Sequence, residues 1–200
     1  KVFGIGKGKT GSISLAAALE ILGYKVHHTG RGQYEGKSDV LNTLRDNWEK
    51  KKPCLQGVRK FDAYIDYPIH MMWKELAEEY PKAKFVLTYR NPDDAALSWC
   101  RMWMSKKQTE FSIKQISYTE YRDIVQAHHN DVLAYFYKTD RLLILDARDR
   151  DDHKWEQLAA FLGKEPPNCP FPYKFSHVEW YMKRKLQKPT GGMGKAQFGK

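Results

Sequence analysis

The sequence predicts an α/β fold, a three-layer sandwich whose central parallel sheet of about five strands is covered by helices on both faces. Short apolar segments alternate with helix-forming segments along most of the chain. The apolar segments are continuous rather than alternating, which is typical of strands that are buried on both faces of a sheet. The 200 residues contain no internal repeat, low-complexity run or linker, so we expect one domain over residues 1–200.

The first part of the chain predicts three strands and three helices in alternation. Helix formers fill the segment from Ser12 to Leu22, and Gly23 ends it. Ser38 can cap a helix whose apolar face carries Val40, Leu41, Leu44 and Trp48. The expected strands are 2–5, 24–27 and 63–66, and the expected helices are 12–22, a segment from 38 onward and 71–80.

The second part of the chain contains its clearest buried strand, Ala83–Tyr89. Pro92 is typical of the first position of a helix. The pattern Ser117-x-x-Glu120 has the form of a capping box and opens a long helix to about residue 137. A last strand, Leu142–Asp146, precedes a helix from 152 to 162 that ends at a glycine.

The charge and the cysteine content of the chain indicate the kind of partner and the compartment, but not a specific function. Lys and Arg outnumber Asp and Glu by 34 to 24, a formal charge of +10, which predicts an anionic partner. The tail 182–200 is basic and contains no acidic residue. Three scattered cysteines, Cys54, Cys100 and Cys169, fit no metal or disulfide pattern and indicate reduced thiols. With no apolar run of membrane-spanning length and no secretory leader before Val2, we expect a cytoplasmic protein.

A glycine-rich segment between the first strand and the first helix predicts a phosphate site. It reads GIGKGKTGSIS over residues 4–14. Glycines let backbone N–H groups converge on an anion, and the helix N-terminus adds partial positive charge. Lys9 supplies a full charge, while Thr10, Ser12 and Ser14 supply hydroxyl groups. This strand–loop–helix unit predicts a sandwich of the P-loop type.

One interpretation of this loop is a nucleotide kinase or NTPase. Gly8, Lys9 and Thr10 look like the end of a Walker A motif, and Asp146 could then bind magnesium at the end of its strand. The glycine that should begin the motif would fall at position 3, however, which is Phe3. A nucleic-acid binder that uses the basic tail is a further alternative, but no recognition motif of that class is present.

A second anion-binding module follows the strand Ala83–Tyr89. It reads RNPDDAALS, from Arg90 to Ser98. Ligands of open α/β sheets bind at the carboxyl ends of strands, where an arginine offers a two-pronged contact to phosphate. Ser98, in the following helix, could reach the same anion. The alternative is a surface ion pair of Arg90 with Asp93 or Asp94.

Together, the two modules resemble the sulfotransferase family, whose donor is 3′-phosphoadenosine 5′-phosphosulfate (PAPS). In that family, K-[ST]-G-[ST]-x binds the 5′-phosphosulfate, and here it reads KTGSI over residues 9–13. The family's R-x-P-x-D-x-x-x-S element binds the 3′-phosphate and keeps its Arg-to-Ser spacing here. The segments around the modules, over roughly residues 2 to 175, are similar to small bacterial and fluke sulfotransferases, although those usually carry Pro and Arg at the positions of Gly8 and Lys9.

The resemblance implies a sulfuryl transfer from PAPS to a hydroxyl or amine of a small acceptor, with no metal. It implies that Lys9 stabilises the leaving phosphate. The residues expected to bind the donor are Gly8, Lys9, Thr10, Gly11, Ser12, Ile13, Ser14, Arg90 and Ser98. A basic loop caps the 3′-phosphate in cytosolic relatives, and the basic, glycine-rich segment Lys185–Lys195 is the candidate for that role here. The oligomeric state cannot be predicted.

The catalytic base is open between several residues. Small relatives use an Asp in a D-x-P element, which here is Asp66-Tyr67-Pro68, and His28 matches a pocket histidine of those enzymes. Asp66 could instead cap the following helix, and Asp62 could share its strand face. Five further histidines lack metal-ligand spacing, and we expect them to be solvated or capping residues: His70, His128, His129, His153 and His177.

Overall fold

The computed structural model describes residues 1–29, 39–105, 116–146 and 153–173, with side chains except at 103–105. The predicted cap at Ser38 and the basic tail 182–200 lie outside these residues. The strands are β1 (Val2–Gly4), β2 (Val26–His28), β3 (Ala63–Ile65), β4 (Lys84–Tyr89) and β5 (Leu142–Asp146). The helices are α1 (Ser12–Ile21), α2 (Asp39–Glu49), α3 (Trp73–Glu79), α4 (Pro92–Ser105), α5 (Tyr118–Tyr135) and α6 (His153–Leu162).

The five strands form one parallel sheet in the order β2-β3-β1-β4-β5. β1 is therefore central, with β3 on one side and β4 on the other. The register aligns Gly4 with Ile65 of β3 and with Val86 of β4. The carboxyl ends of these three strands, and the loops that leave them, consequently meet at one edge of the sheet.

Helices cover both faces of the sheet, which confirms the predicted three-layer α/β sandwich. Alternate residues of the central strands face opposite layers, so Val2 packs with α1 and α6 while Phe3 packs with α2, α3 and α5. Phe85 and Val86 divide between the two layers in the same way. α4 lies against α5 around Ala95, Ala96, Tyr121 and Val125.

The second strand begins later than the sequence indicates, at Val26 rather than Tyr24. Gly23 has a φ of 87°, and the Tyr24 N–H donates to Leu19 O at 3.0 Å. This backbone arrangement closes α1 and keeps Tyr24 in the helix terminus. The correction places His28 inside β2, at the edge of the sheet where the loops meet.

The predicted capping box at the start of α5 is confirmed. The Ser117 hydroxyl accepts from the Glu120 N–H at 3.2 Å, and the Glu120 carboxylate accepts from the Ser117 N–H at 2.8 Å. In the described ranges, no helix has the length and apolar character needed to cross a bilayer.

Candidate active site

The glycine loop, residues 6–11, connects β1 to α1 and sits at the carboxyl edge of the sheet. Gly11 has a φ of 111° and caps α1, and helical hydrogen bonding begins with Leu15 N–H donating to Gly11 O at 3.1 Å. The N–H groups of the first helical turn, including those of Ser12 and Ile13, point out of the helix end, as in any α-helix. Lys9 has a φ of 68°, unusual for a residue other than glycine. The loop thus has the local geometry of an anion cradle.

β4 holds this loop through buried hydroxyl groups. Thr10 is fully buried, donates to Lys7 O at 2.6 Å, and lies 2.7 Å from Thr88 Oγ1. A Cβ at Gly6 would lie 2.0 Å from Thr88 Oγ1 and 2.7 Å from Thr88 O, so only glycine fits there. The Thr10 hydroxyl is therefore engaged in holding the loop on the sheet. Sequence reasoning missed Thr88, whose only signal is its place near the end of the strongest strand.

Arg90 brings the second module to the loop. Its Nη1 donates to Lys9 O at 3.0 Å, and its buried Nε has no hydrogen-bond partner among the described residues. The side chain of Asp93 instead accepts from the Tyr118 hydroxyl at 2.7 Å. Ser98 is half-buried on α4, the helix that follows Arg90. A buried guanidinium N–H without an acceptor is suited to an anionic ligand.

Two aromatic side chains cover Gly8 from the helical layer. The Tyr121 hydroxyl donates to Gly8 O at 2.7 Å, and Trp99 stacks on Tyr121 with ring centroids 4.2 Å apart. Burial, with the charge of Asp66, raises the pKa of Tyr121, so its phenol stays protonated. A Cβ at Gly8 would lie 3.1 Å from the Tyr121 oxygen and 3.3 Å from the Trp99 ring. Glycine at this position lets the aromatic pair approach the loop.

On the β3 side of the loop, His28 lies between the helix N-terminus and Asp66. His28 is buried, with Nε2 3.1 Å from Ser12 Oγ and Nδ1 3.8 Å from Asp66 Oδ2. Asp66 follows β3 directly and has a φ of 77°. Like Lys9, it is a non-glycine residue held in the left-handed region, a strained conformation that is frequent at functional sites.

The structure supports neither the alternative that Asp66 caps a helix nor the alternative that Asp62 is its partner. α3 begins after Met72, and no side chain caps it, so Asp66 does not cap that helix. Asp62 lies before the start of β3, where its carboxylate accepts from the Lys25 N–H at 2.9 Å. Asp62 is thus at the opposite end of the strand from Asp66 and is not its partner.

The expectation of solvated histidines is wrong for His128 and His129, which are buried. His70 is half-buried and therefore only partly solvated. His128 and His129 are 7% and 1% exposed. Burial is the main reason that the pKa of His70 is lowered to about 3 and the pKa values of His128 and His129 to about 4, and nearby Lys7 lowers the first two further. The sequence did not show the burial of His128 and His129, because it results from the packing of α5 against Ile5 and Tyr89 in the folded protein.

A cavity on the β4 side of the loop adds residues that the motifs did not indicate. The residues lining it are Thr10, Gly11, Ser14, Leu15, Thr88, Leu145, Asp146, Lys154, Phe171, Pro172 and Tyr173. Lys154 is 5% exposed, with its ammonium 5.6 Å from the centre of the Phe171 ring. The cavity combines the helix N-terminus with a cation and aromatic rings. A larger cavity of about 390 Å³, around Tyr24 and Lys164, lies away from the glycine loop.

In the ranges that the structure describes, no three His, Cys, Asp or Glu side chains are placed to hold a metal ion. Asp146, the magnesium ligand of the kinase interpretation, ends β5 and lines the same cavity as Thr10 and Gly11 of the loop. Around Lys9 and Arg90, the site combines cationic side chains with backbone N–H groups.

Comparison with known proteins agrees with this architecture. A solved structure of a sulfotransferase from Alicyclobacillus acidocaldarius matches with a TM-score of 0.51 and 18% identity, over 92% of this chain and 90% of that one. No curated protein gives a significant match. The family model described as a sulfotransferase domain matches residues 1–120 and 96–179. With nearly the whole chain covered, the protein belongs to the family of sulfotransferase domains.

Proposed function

We propose that the protein transfers a sulfuryl group from PAPS to a hydroxyl or amine of a small-molecule acceptor. The observation that carries this proposal is the meeting of Arg90 with the glycine loop. Their contact, Arg90 Nη1 to Lys9 O at 3.0 Å, joins two anion-binding modules that are 81 residues apart in sequence. Two adjacent phosphate sites suit a nucleotide that carries phosphate at both the 3′ and the 5′ position.

The donor's 5′-phosphosulfate would bind the glycine loop, through Gly8, Lys9, Thr10 and Gly11 and the first helical turn at 12–14. Arg90, whose buried Nε has no partner among the described residues, would bind the 3′-phosphate together with Ser98. Phe171 and Tyr173 border the small cavity of about 30 Å³ next to Ser14, and their rings would flank one side of the nucleoside. The segment Lys185–Lys195, outside the described residues, is the candidate cap of the 3′-phosphate.

When bound, PAPS would supply a sulfuryl group whose S–O bond to the 5′-phosphate breaks as the new bond to the acceptor forms. The Lys9 ammonium would stabilise the negative charge on the departing phosphate oxygen. The Asp66 carboxylate would take the proton that leaves the acceptor oxygen or nitrogen. His28 would hold that carboxylate and connect it to Ser12, since its ring nitrogens face both side chains.

The remaining features of the proposal follow from the same chemistry. The positive charge of the chain serves the anionic donor, so neither nucleic acid nor a membrane is needed as a partner. The reaction needs no metal, because charge stabilisation comes from lysine and arginine. We propose a single domain over 1–200 that works in the cytoplasm on a small acceptor.

Calorimetric titration with PAP, the product nucleotide, and with ATP plus magnesium tests this function. We expect micromolar binding of PAP, no response to ATP, and loss of PAP binding in Arg90→Ala. Arg122→Ala is the matched control, because Arg122 is a half-exposed arginine that pairs with the adjacent Asp123 at 2.8 Å. Tight magnesium-dependent ATP binding without a response to PAP would refute the proposal in favour of a nucleotide kinase.

A further inference from the structure

Lys7, which stands between two glycines of the loop, is the cation of the site that the donor does not account for. Its side chain extends to the β3 side, where Nζ lies 3.7 Å from Met71 Sδ. In the described part of the chain, no carboxylate pairs with this ammonium, and burial lowers its pKa. A partly desolvated cation next to a thioether, with no counter-ion, favours an anionic ligand.

The side chains around Lys7 are bases rather than acids. His70 and His128 face one another with ring centroids 6.5 Å apart, and the charge of Lys7 lowers the pKa of both. His128 uses Nε2 to donate to Ile5 O at 2.7 Å. The buried Nδ1 of His70 has no hydrogen-bond partner within the described ranges. Both rings are neutral near pH 7, so the Lys7 ammonium is left uncompensated by any of these neighbours.

The position of this cluster separates it from the phosphate sites. His70 and Met71 follow Asp66, the candidate base, in the same connection from β3 to α3. The His70 N–H donates to Asp66 O at 3.4 Å, which ties the two parts of the connection together. Arg90 and Thr88, in contrast, approach the loop from β4. An acceptor whose reacting group lies at Asp66 would therefore extend along Lys7 and His70.

We propose that Lys7 Nζ, together with His70, forms an anion subsite that binds a carboxylate or similar negative group of the acceptor. The proposal rests on the proposed sulfotransferase function and names its acceptor class: hydroxylated or amine-bearing acids. The same anion chemistry could come from the sulfuryl oxygens of the donor, so the test must distinguish these two sources.

The test compares acids with their amides, which have nearly the same shape but no charge. The probes are para-hydroxyphenylacetate and hydroxyhexanoate, each with its amide, and two quantities are measured. One is the affinity of the protein–PAP complex for each probe by calorimetry, and the other is kcat/KM for sulfation. The variants are Lys7→Met and, as matched control, Lys74→Met, because Lys74 is an exposed lysine of α3 that lies over Trp73.

We expect the wild type and Lys74→Met to prefer the acids. In Lys7→Met the ratio of acid to amide affinity should fall by about tenfold or more, the factor that corresponds to one hydrogen bond to a charged group. Lys7→Arg should retain part of the preference. PAP affinity and the thermal midpoint of each variant report whether the loop is intact.

Three results would overturn the proposed subsite. In the first, the wild type binds PAP but shows no preference for acids in either pair; in the second, Lys7→Met keeps the preference. In the third, Lys7→Met loses affinity for PAPS but not for PAP. The last result would assign Lys7 to the sulfuryl oxygens of the donor. A wild type that does not bind PAP at all would instead overturn the proposed function, so the two failures are distinguishable.

Discussion

The two sides of the glycine loop differ in how tightly they are bonded. On the β4 side and under the α4–α5 layer, hydrogen bonds fasten the loop to its neighbours: Thr10 with Thr88 at 2.7 Å, Arg90 with Lys9 at 3.0 Å and Tyr121 with Gly8 at 2.7 Å. On the β3 side, His28 Nε2 lies 3.1 Å from Ser12 Oγ, but the contacts of His28 with Asp66 at 3.8 Å and of Lys7 with Met71 at 3.7 Å are longer. Short hydrogen bonds thus hold the β4 side, whereas the charged groups of the β3 side make longer contacts.

Replacing the candidate base tests the β3 side and has the largest expected effect. Asp66→Asn should lower kcat by about 10²–10⁴-fold, the usual contribution of a general base. Asparagine accepts the left-handed conformation that this position requires, so the backbone is kept. PAP affinity, which we propose to depend on the β4 side of the loop, should stay near the wild-type value. The measurement is single-turnover kinetics with saturating donor.

The control for this variant is His28→Asn. It removes the ring between Ser12 and Asp66 but leaves the carboxylate, so the loss of kcat should be smaller than in Asp66→Asn. If Asp66→Asn keeps more than about a tenth of the wild-type kcat, Asp66 is not the base. His28 would then be the next candidate.

A methyl group at Gly6 tests the tightness of the β4 side. In Gly6→Ala, the new Cβ would meet Thr88 Oγ1 at 2.0 Å and the Thr88 carbonyl at 2.7 Å, and the carbonyl cannot rotate away. We expect a loss of about 2–3 kcal/mol in the free energy of unfolding, typical of overpacking, and weaker PAP binding as the loop moves. Denaturant unfolding and calorimetry measure the two effects.

Gly23→Ala is the matched control, because a Cβ there meets no atom within 4 Å and only the φ of 87° is unfavourable. We expect it to cost about 1 kcal/mol and to leave PAP affinity unchanged. Equal PAP affinities for Gly6→Ala and the wild type would show that the loop is not held by contact with Thr88, and the contrast between the two sides would fail.

The sequence predicted the fold well because its signals are local. Continuous apolar strands, Gly23, Pro92 and the capping box at Ser117 each define an element through neighbouring residues. The boundary of β2 was missed because a helix terminus that extends to Tyr24 depends on backbone hydrogen bonds to Leu19. Propensity does not encode such a bond.

The residues of the candidate site also fall into two groups, those that local sequence patterns indicate and those that the tertiary fold brings together. The loop and Arg90 were found as motifs, since binding phosphate requires glycines and cations at fixed spacing. Thr88, Tyr121 and Lys154 were not, because each reaches the site through the tertiary fold and carries no local pattern. The burial of His128 and His129 was missed for the same reason.

The low pKa values of the histidines near the loop predict that the stability of the protein depends on pH. Their folded pKa values, about 3 for His70 and about 4 for His128 and His129, are below the ordinary value near 6.5. Below pH 6.5 the unfolded chain therefore binds more protons than the folded protein. Their contribution to stability is full above that pH and is lost as pH falls towards 4, by about 1.4 kcal/mol per pH unit for each proton.

One histidine can be removed from this balance without disturbing the site. The His129 ring packs against Tyr89 with centroids 4.7 Å apart and the planes tilted by 34°, so His129→Phe keeps an aromatic ring there. In urea unfolding between pH 7 and pH 5, the free energy of unfolding of His129→Phe should depend less steeply on pH, by up to the equivalent of one proton. The stability of the variant relative to the wild type should therefore rise as pH falls. His153→Gln, at an exposed position where the ring lies 3.2 Å from the Glu156 carboxylate, should keep a slope close to that of the wild type. Equal slopes for His129→Phe and the wild type would mean that His129 binds its proton equally well in the folded and the unfolded protein. That result would contradict the lowered pKa that we expect from the burial of His129, which is 1% exposed.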